Sequence, residues 1–137
     1  MVPQRRHRTN LSLVMLALQL VATGIHVVPA LVYPATGVRT TTRIVAEISS
    51  LGPVWVLTFG ASSLVLGLTL WLKRGQAYGH LAAAAVWVMY ATGLWLGTFA
   101  NHPHGTVFFP TVATVITIVH VITAASYNED AEGGTSP

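Results

Sequence analysis

Charge in this chain comes in four clusters, and the stretches between them are long and apolar. The clusters are Arg5, Arg6 and Arg8; Arg39, Arg43 and Glu47; Lys73 and Arg74; and Glu129, Asp130 and Glu132. Between them lie four uncharged runs, at about residues 11–33, 48–72, 77–99 and 106–126. Each reaches the roughly 20 residues that cross a hydrocarbon core of about 30 Å. Charged residues are 8% of the chain, against roughly 25% in an ordinary soluble domain. Four helices with almost no polar face between them would not form a bundle soluble in water. In lipid each span must satisfy its own backbone, so the runs are predicted to be helices. The predicted fold is an all-α, polytopic integral membrane four-helix bundle with short loops. It divides into a basic N-terminus (1–10), a four-span domain (11–126) and an acidic tail (127–137) expected to be disordered.

Basic residues favour the cytoplasmic ends of spans. Arg5, Arg6, Arg8, Lys73 and Arg74 fall on one side of a four-span chain, and only Arg39 and Arg43 on the other. Both termini are therefore expected to face the cytoplasm, with the chain in the cell membrane. The first run is longer than the core of a usual signal peptide and reads as a retained anchor. Pro29 should kink the first helix or end it. The segment from Arg43 to Ser50 reads as a short amphipathic turn or the start of the second helix, with Arg43 and Glu47 on one face.

Small residues recur at helical spacing. Gly60, Ser63 and Gly67 share a side of the second helix, and Gly93 and Gly97 make a Gly-xxx-Gly pair in the third. Such positions let membrane helices approach closely, within one bundle or between subunits. Trp71, Tyr78, Tyr33, Phe99, Phe108, Phe109 and Tyr127 lie near span ends, where aromatic rings favour the membrane interface. Trp87 and Tyr90 lie deeper and are expected to pack in the bundle.

Histidine is the one residue type here suited to chemistry. Polar groups deep in a membrane are costly and turn toward protein or water. His26 falls in the outer half of the first span and His120 in the inner half of the fourth. Counting from span centres at 1.5 Å per residue separates them by roughly 13 Å in depth, too far to ligate one haem iron from opposite faces. His80 and His120 differ by about 7 Å on the same count, within reach given favourable rotamers and tilt. His102 and His104, in an outer loop with Glu47 nearby, suit a divalent metal or simply a solvated turn.

Several chemistries have no sequence support. The chain has no cysteine, which excludes disulfides, thiolate nucleophiles and iron–sulfur ligation. There is no phosphate-binding glycine loop, no zinc-protease helix motif and no paired intramembrane carboxylate. Three N-terminal arginines without interleaved aromatics suit anionic lipid, not nucleic acid. No catalytic group and no cofactor is predicted, with haem or a divalent metal as the alternatives. The expected partners are the lipid bilayer and either a second copy or another membrane protein.

The layout, with its basic start (Arg5, Arg6, Arg8), closely spaced spans, short loops and charged tail (Glu129, Asp130, Glu132), resembles phage holins and related small phage or actinobacterial membrane proteins. It departs from them in that many have fewer spans and basic tails. The resemblance implies a non-enzymatic protein that self-associates in the cytoplasmic membrane and opens lesions. The alternatives are a redox subunit using intramembrane histidines and a small transporter or accessory subunit.

Overall fold

The computed structural model describes residues 3–32, 53–100 and 107–133, with side chains described over 9–27, 53–100 and 107–129. It contains helix α1 (Pro3–Val32), α2 (Val54–Leu72), α3 (Gln76–Ala100) and α4 (Phe108–Gly133). Each is long and apolar enough to cross a membrane. Over the described residues the protein is an all-α, multi-pass membrane bundle of four helices. Contacts between residues far apart in sequence show that successive helices run antiparallel. Ser12, His80 and Tyr127 meet at one end, and Gln19, Ser62 and Trp87 near the middle.

Local chemistry sets the helix ends. Pro3 begins α1 and Pro110 sits in the first turn of α4, where a proline's missing N–H has no helical partner to lose. The α2–α3 turn is a Schellman closure. Lys73 takes a left-handed conformation (φ 53°), its N–H bonds the Leu70 carbonyl, and the Arg74 N–H bonds the Thr69 carbonyl. Gly75 (φ 66°) completes the reversal at a backbone angle that side chains disfavour.

At the helix ends the structure removes one of the two alternatives for Pro29 and shifts one boundary. The first helix does not finish at Pro29 but runs to Val32. A proline so near the end removes only the bond to the Ile25 carbonyl. The acidic tail does not leave the helix at Tyr127, because α4 continues through Asn128, Glu129 and Asp130 to Gly133. These residues need no buried partner, because a helix entering water closes its own backbone bonds. The segment holding Arg43, Glu47 and Ser50 lies outside the described residues, as do His102 and His104.

Neighbouring helices pack in chain order. The α3–α4 pair is the most extensive, while α1 and α4 touch only sparingly, so the ring of helices is loosely closed along that seam. Ala22, Trp55, Phe59, Trp87, Ala91, Leu94 and Ala113 form the apolar core. Gly93 and Gly97 lie buried on α3 beside Ala91 and Leu94, while a side chain at Gly60 or Gly67 would meet Thr23 or Leu16 of α1 at ordinary contact distance. Span hydroxyls mostly bond their own helix: Ser63 donates to the Phe59 carbonyl (2.7 Å) and Thr123 to the Val119 carbonyl (2.7 Å). They therefore need no water inside the bundle.

A tight helix approach occurs at Gly79, a glycine the sequence pattern does not single out. A Cβ on Gly79 would overlap the Thr69 hydroxyl and come within 3.2 Å of the Leu66 Cα, a backbone atom that cannot swing aside. Gly79→Ala is expected to destabilise the bundle by about 1–2 kcal/mol through forced separation of α2 and α3. Gly24→Ala, where nothing lies within 4 Å, is the matched control. Reversible unfolding in mixed micelles checks both, and equal stabilities would show that α2 and α3 have room to separate.

Candidate functional site

Three polar clusters are stacked along the interior, and α1 contributes one residue to each. Ser12, Gln19 and His26 are spaced seven apart, which returns a helix to nearly the same face. That face turns inward against α2, α3 and α4.

At the end where α1 starts and α4 finishes, two histidines meet. His80 of α3 and His120 of α4 are both fully buried. Their Nδ1 atoms are 3.0 Å apart, so one ring donates its N–H and the other accepts. The rings are tilted by 49° with centroids 5.2 Å apart. On its other side, His80 Nε2 is 2.9 Å from the Ser12 hydroxyl, which is 2.9 Å from the Tyr127 hydroxyl. Tyr127 also stacks on His80, at 5.8 Å and 20°. The result is one hydrogen-bonded chain, Tyr127–Ser12–His80–His120, made by α1, α3 and α4 together. It stops at His120 Nε2, which is buried and has no hydrogen-bond partner. Leaving such an atom unpaired costs about 1–3 kcal/mol, which the packing of the bundle offsets.

Near the middle, Gln19 is fully buried on α1. The Trp87 indole N–H donates to its Oε1 at 2.6 Å, and its Nε2 donates to the Ser62 hydroxyl. The Ser62 hydroxyl in turn donates to the Phe59 carbonyl at 3.0 Å. Gln19 thereby ties α1 to α2 and α3 with one side chain.

Toward the opposite end, His26 sits among aromatic rings. It stacks on Phe59 (5.7 Å, 11°), meets the Tyr90 ring edge-on (5.5 Å, 80°) and lies 6.3 Å from Trp55. Phe59 also takes the edge of Trp87 at 5.0 Å. Farther along, the Trp95 indole donates to the Thr114 hydroxyl at 3.1 Å.

Of the sequence candidates, the structure brings His80 and His120 together and keeps His26 at a separate level. Glu47, His102 and His104 fall outside the described residues. Among the described residues no three His, Cys, Asp or Glu side chains gather closely enough to hold a metal ion. The direct Nδ1–Nδ1 bond is also shorter than the about 4 Å that two opposed imidazoles place across a metal at about 2 Å each. As packed, the pair shares a proton. Ser12 and Gln19 were not singled out by sequence, although their seven-residue spacing with His26 was a legible signal, and Tyr127 was read only as an interfacial aromatic. Compared with known protein families, with characterised proteins and with solved structures, the chain matches none.

Proposed function

We propose that the protein is a non-enzymatic, self-associating membrane bundle that permeabilises the cytoplasmic membrane, in the manner of the holin-like proteins its layout resembles. The observation that carries this reading is the inward polar face of α1, Ser12, Gln19 and His26, held behind the loosely closed α1–α4 seam. In a lone bundle Ser12 and Gln19 bond to side chains of the other helices, His26 packs among aromatic rings, and lipid meets a mostly apolar surface. When copies associate, α1 swings away from α4 and turns this face toward a shared lumen. Internal hydrogen bonds are then exchanged for bonds to water at little net cost, since each contributes only about 0.5–1.5 kcal/mol. Association is concentration-dependent, so permeabilisation has a threshold. Both termini face the cytoplasm in this reading, as the distribution of arginine and lysine favours.

The test is controlled expression with membrane potential followed over time. The expected result is accumulation without effect, then abrupt and complete depolarisation. A single cysteine at Ser136, in a chain otherwise free of cysteine, should resist a membrane-impermeant thiol reagent before that moment and react after it. The control is Gln19→Leu with Trp87→Phe, which removes both ends of the central hydrogen bond and leaves α1 without its middle polar group. It should insert at equal levels and leave the potential intact. A potential that survives high verified membrane levels of the parent protein overturns the reading, and labelling of Ser136→Cys before collapse overturns the orientation.

A further inference from the structure

The chain that ends at His120 Nε2 has a property that neither packing nor permeabilisation requires. Every link in it can both donate and accept a proton. In one polarity Tyr127 donates to Ser12, Ser12 to His80 Nε2, and His80 Nδ1 to His120 Nδ1, leaving the single N–H of neutral His120 at the unpartnered Nε2. In the other polarity every bond is reversed. The 2.9, 2.9 and 3.0 Å separations are those of well-made hydrogen bonds in either direction. Tyr127, partly exposed at the bundle end, is the one link in reach of water, while Ser12, His80 and His120 are fully buried.

We infer that Tyr127, Ser12, His80 and His120 form a proton relay, with Tyr127 as its entrance and the His80–His120 pair as its proton-binding site. Uptake of one proton balances without moving a heavy atom. Tyr127 takes a proton from water and passes its own to Ser12. Ser12 passes its own to His80 Nε2, and His80 passes its Nδ1 proton to His120 Nδ1. His120 keeps the proton already on Nε2 and becomes an imidazolium, so one proton enters and one positive charge appears. The reverse sequence returns the proton to water.

The surroundings favour this route over a shortcut. From α1 the pair faces Ser12; where side chains of that helix are described, from residue 9 to residue 27, its one titratable group is His26, in a separate cluster, and in sequence His7 and Arg8 precede Ser12 by about one helical turn. Helix α2, whose Leu66 backbone lies against Gly79, has no titratable side chain between Val54 and Leu72. Helix α3 adds Tyr78, which points out of the bundle, and Tyr90, which packs with His26. Helix α4 adds Tyr127 itself and the exposed Glu129. Lys73 and Arg74, in the turn that precedes α3, are exposed, and among the described residues the hydrogen bonds that lead from the pair toward water run through Ser12 and Tyr127.

The inference holds whether or not the protein permeabilises, because its readout is the histidine rings and not the membrane potential. The full chain, labelled with 15N-histidine, is placed in phosphatidylcholine–phosphatidylglycerol bilayers. Two quantities are measured by NMR: the nitrogen–nitrogen coupling across the shared Nδ1 proton, and the rate at which that proton exchanges with deuterated water. The parent protein should show the coupling. Tyr127→Phe keeps the ring stacked on His80 but removes the relay hydroxyl. Ser12→Ala breaks the chain one link further in. Each should keep the coupling and slow the exchange by about a hundredfold, the low end of what a positioned proton donor contributes. A merely structural hydrogen bond predicts no such split, since losing it would loosen the pair and speed exchange. Absence of the coupling in the parent protein overturns the inference. So does exchange in both variants as fast as in the parent, and a variant that loses its fold leaves the other and the parent coupling to decide.

Discussion

Truncating Phe59 to alanine is expected to cost about 3–5 kcal/mol of bundle stability, the range for removing a buried aromatic ring. Phe59 has no exposed surface, and its ring touches His26, Trp55, Trp87 and Tyr90 at centroid separations of 5.0–6.3 Å. In a bilayer the lost term is packing and not the hydrophobic effect, because lipid tails are as apolar as the ring. The cost nonetheless stays high, since the void left between α1, α2 and α3 is too enclosed for a lipid chain to fill and its lining atoms lose their partners. Leu57→Ala provides the contrast. Leu57 lies two residues earlier on the same helix and is 64% exposed, so lipid replaces its side chain and stability should hold. Unfolding of the two variants in mixed micelles, followed by tryptophan fluorescence, measures the difference. Similar losses for both would mean that α2 does not present Phe59 to the bundle interior.

Gln19→Leu is expected to destabilise by about 2–3 kcal/mol, because it strands a buried indole N–H in an apolar surround. Leucine nearly matches glutamine in volume, so the loss is chiefly in hydrogen bonding. Trp87→Phe alone strands the Gln19 carbonyl oxygen instead. Together the two changes remove donor and acceptor at once, and stability should return to within about 0.5 kcal/mol of the parent, apart from the smaller ring. Ser62 keeps its 3.0 Å bond to the Phe59 carbonyl throughout. The double-mutant cycle therefore predicts a clear non-additive coupling. Strict additivity would show that the 2.6 Å Trp87–Gln19 contact carries no energy. The same cycle supplies the control for permeabilisation, since a bundle with a restored fold but no polar middle separates loss of function from loss of folding.

How much could be read beforehand differs from residue to residue. His80 and His120 were candidates because an intramembrane histidine is rarely idle. Their approach was legible as a gap that favourable rotamers and tilt could close, but the direct Nδ1–Nδ1 bond was not, because counting depth along ideal parallel helices omits the tilt and sliding that bring the rings together. Gly93 and Gly97 were visible as a spaced pair and lie buried on α3. Gly79, where a side chain would collide with Leu66 and Thr69, carried no motif. Its constraint comes from α2 crossing at that point, which no local pattern encodes. Ser12 and Gln19 sat among ordinary span residues until their seven-residue relation to His26 was placed against partners on other helices.

Length, hydropathy and clustered charge determine by themselves that this chain makes four membrane helices. The reason is local: about 20 uncharged apolar residues in lipid have no way to satisfy their backbone other than a helix. They also make α2, α3 and α4 antiparallel neighbours, since the connections between those helices are short, whereas the longer stretch from Val32 to Val54 places no such demand on α1. The tertiary structure alone decides which polar side chains find one another. The Nδ1–Nδ1 bond of His80 and His120, the Gln19 bridge to Trp87 and the unpaired His120 Nε2 each depend on helix rotation and register. Those are set by small residues, aromatic rings and hydrogen bonds between helices, interactions between residues far apart in the chain that no single span contains.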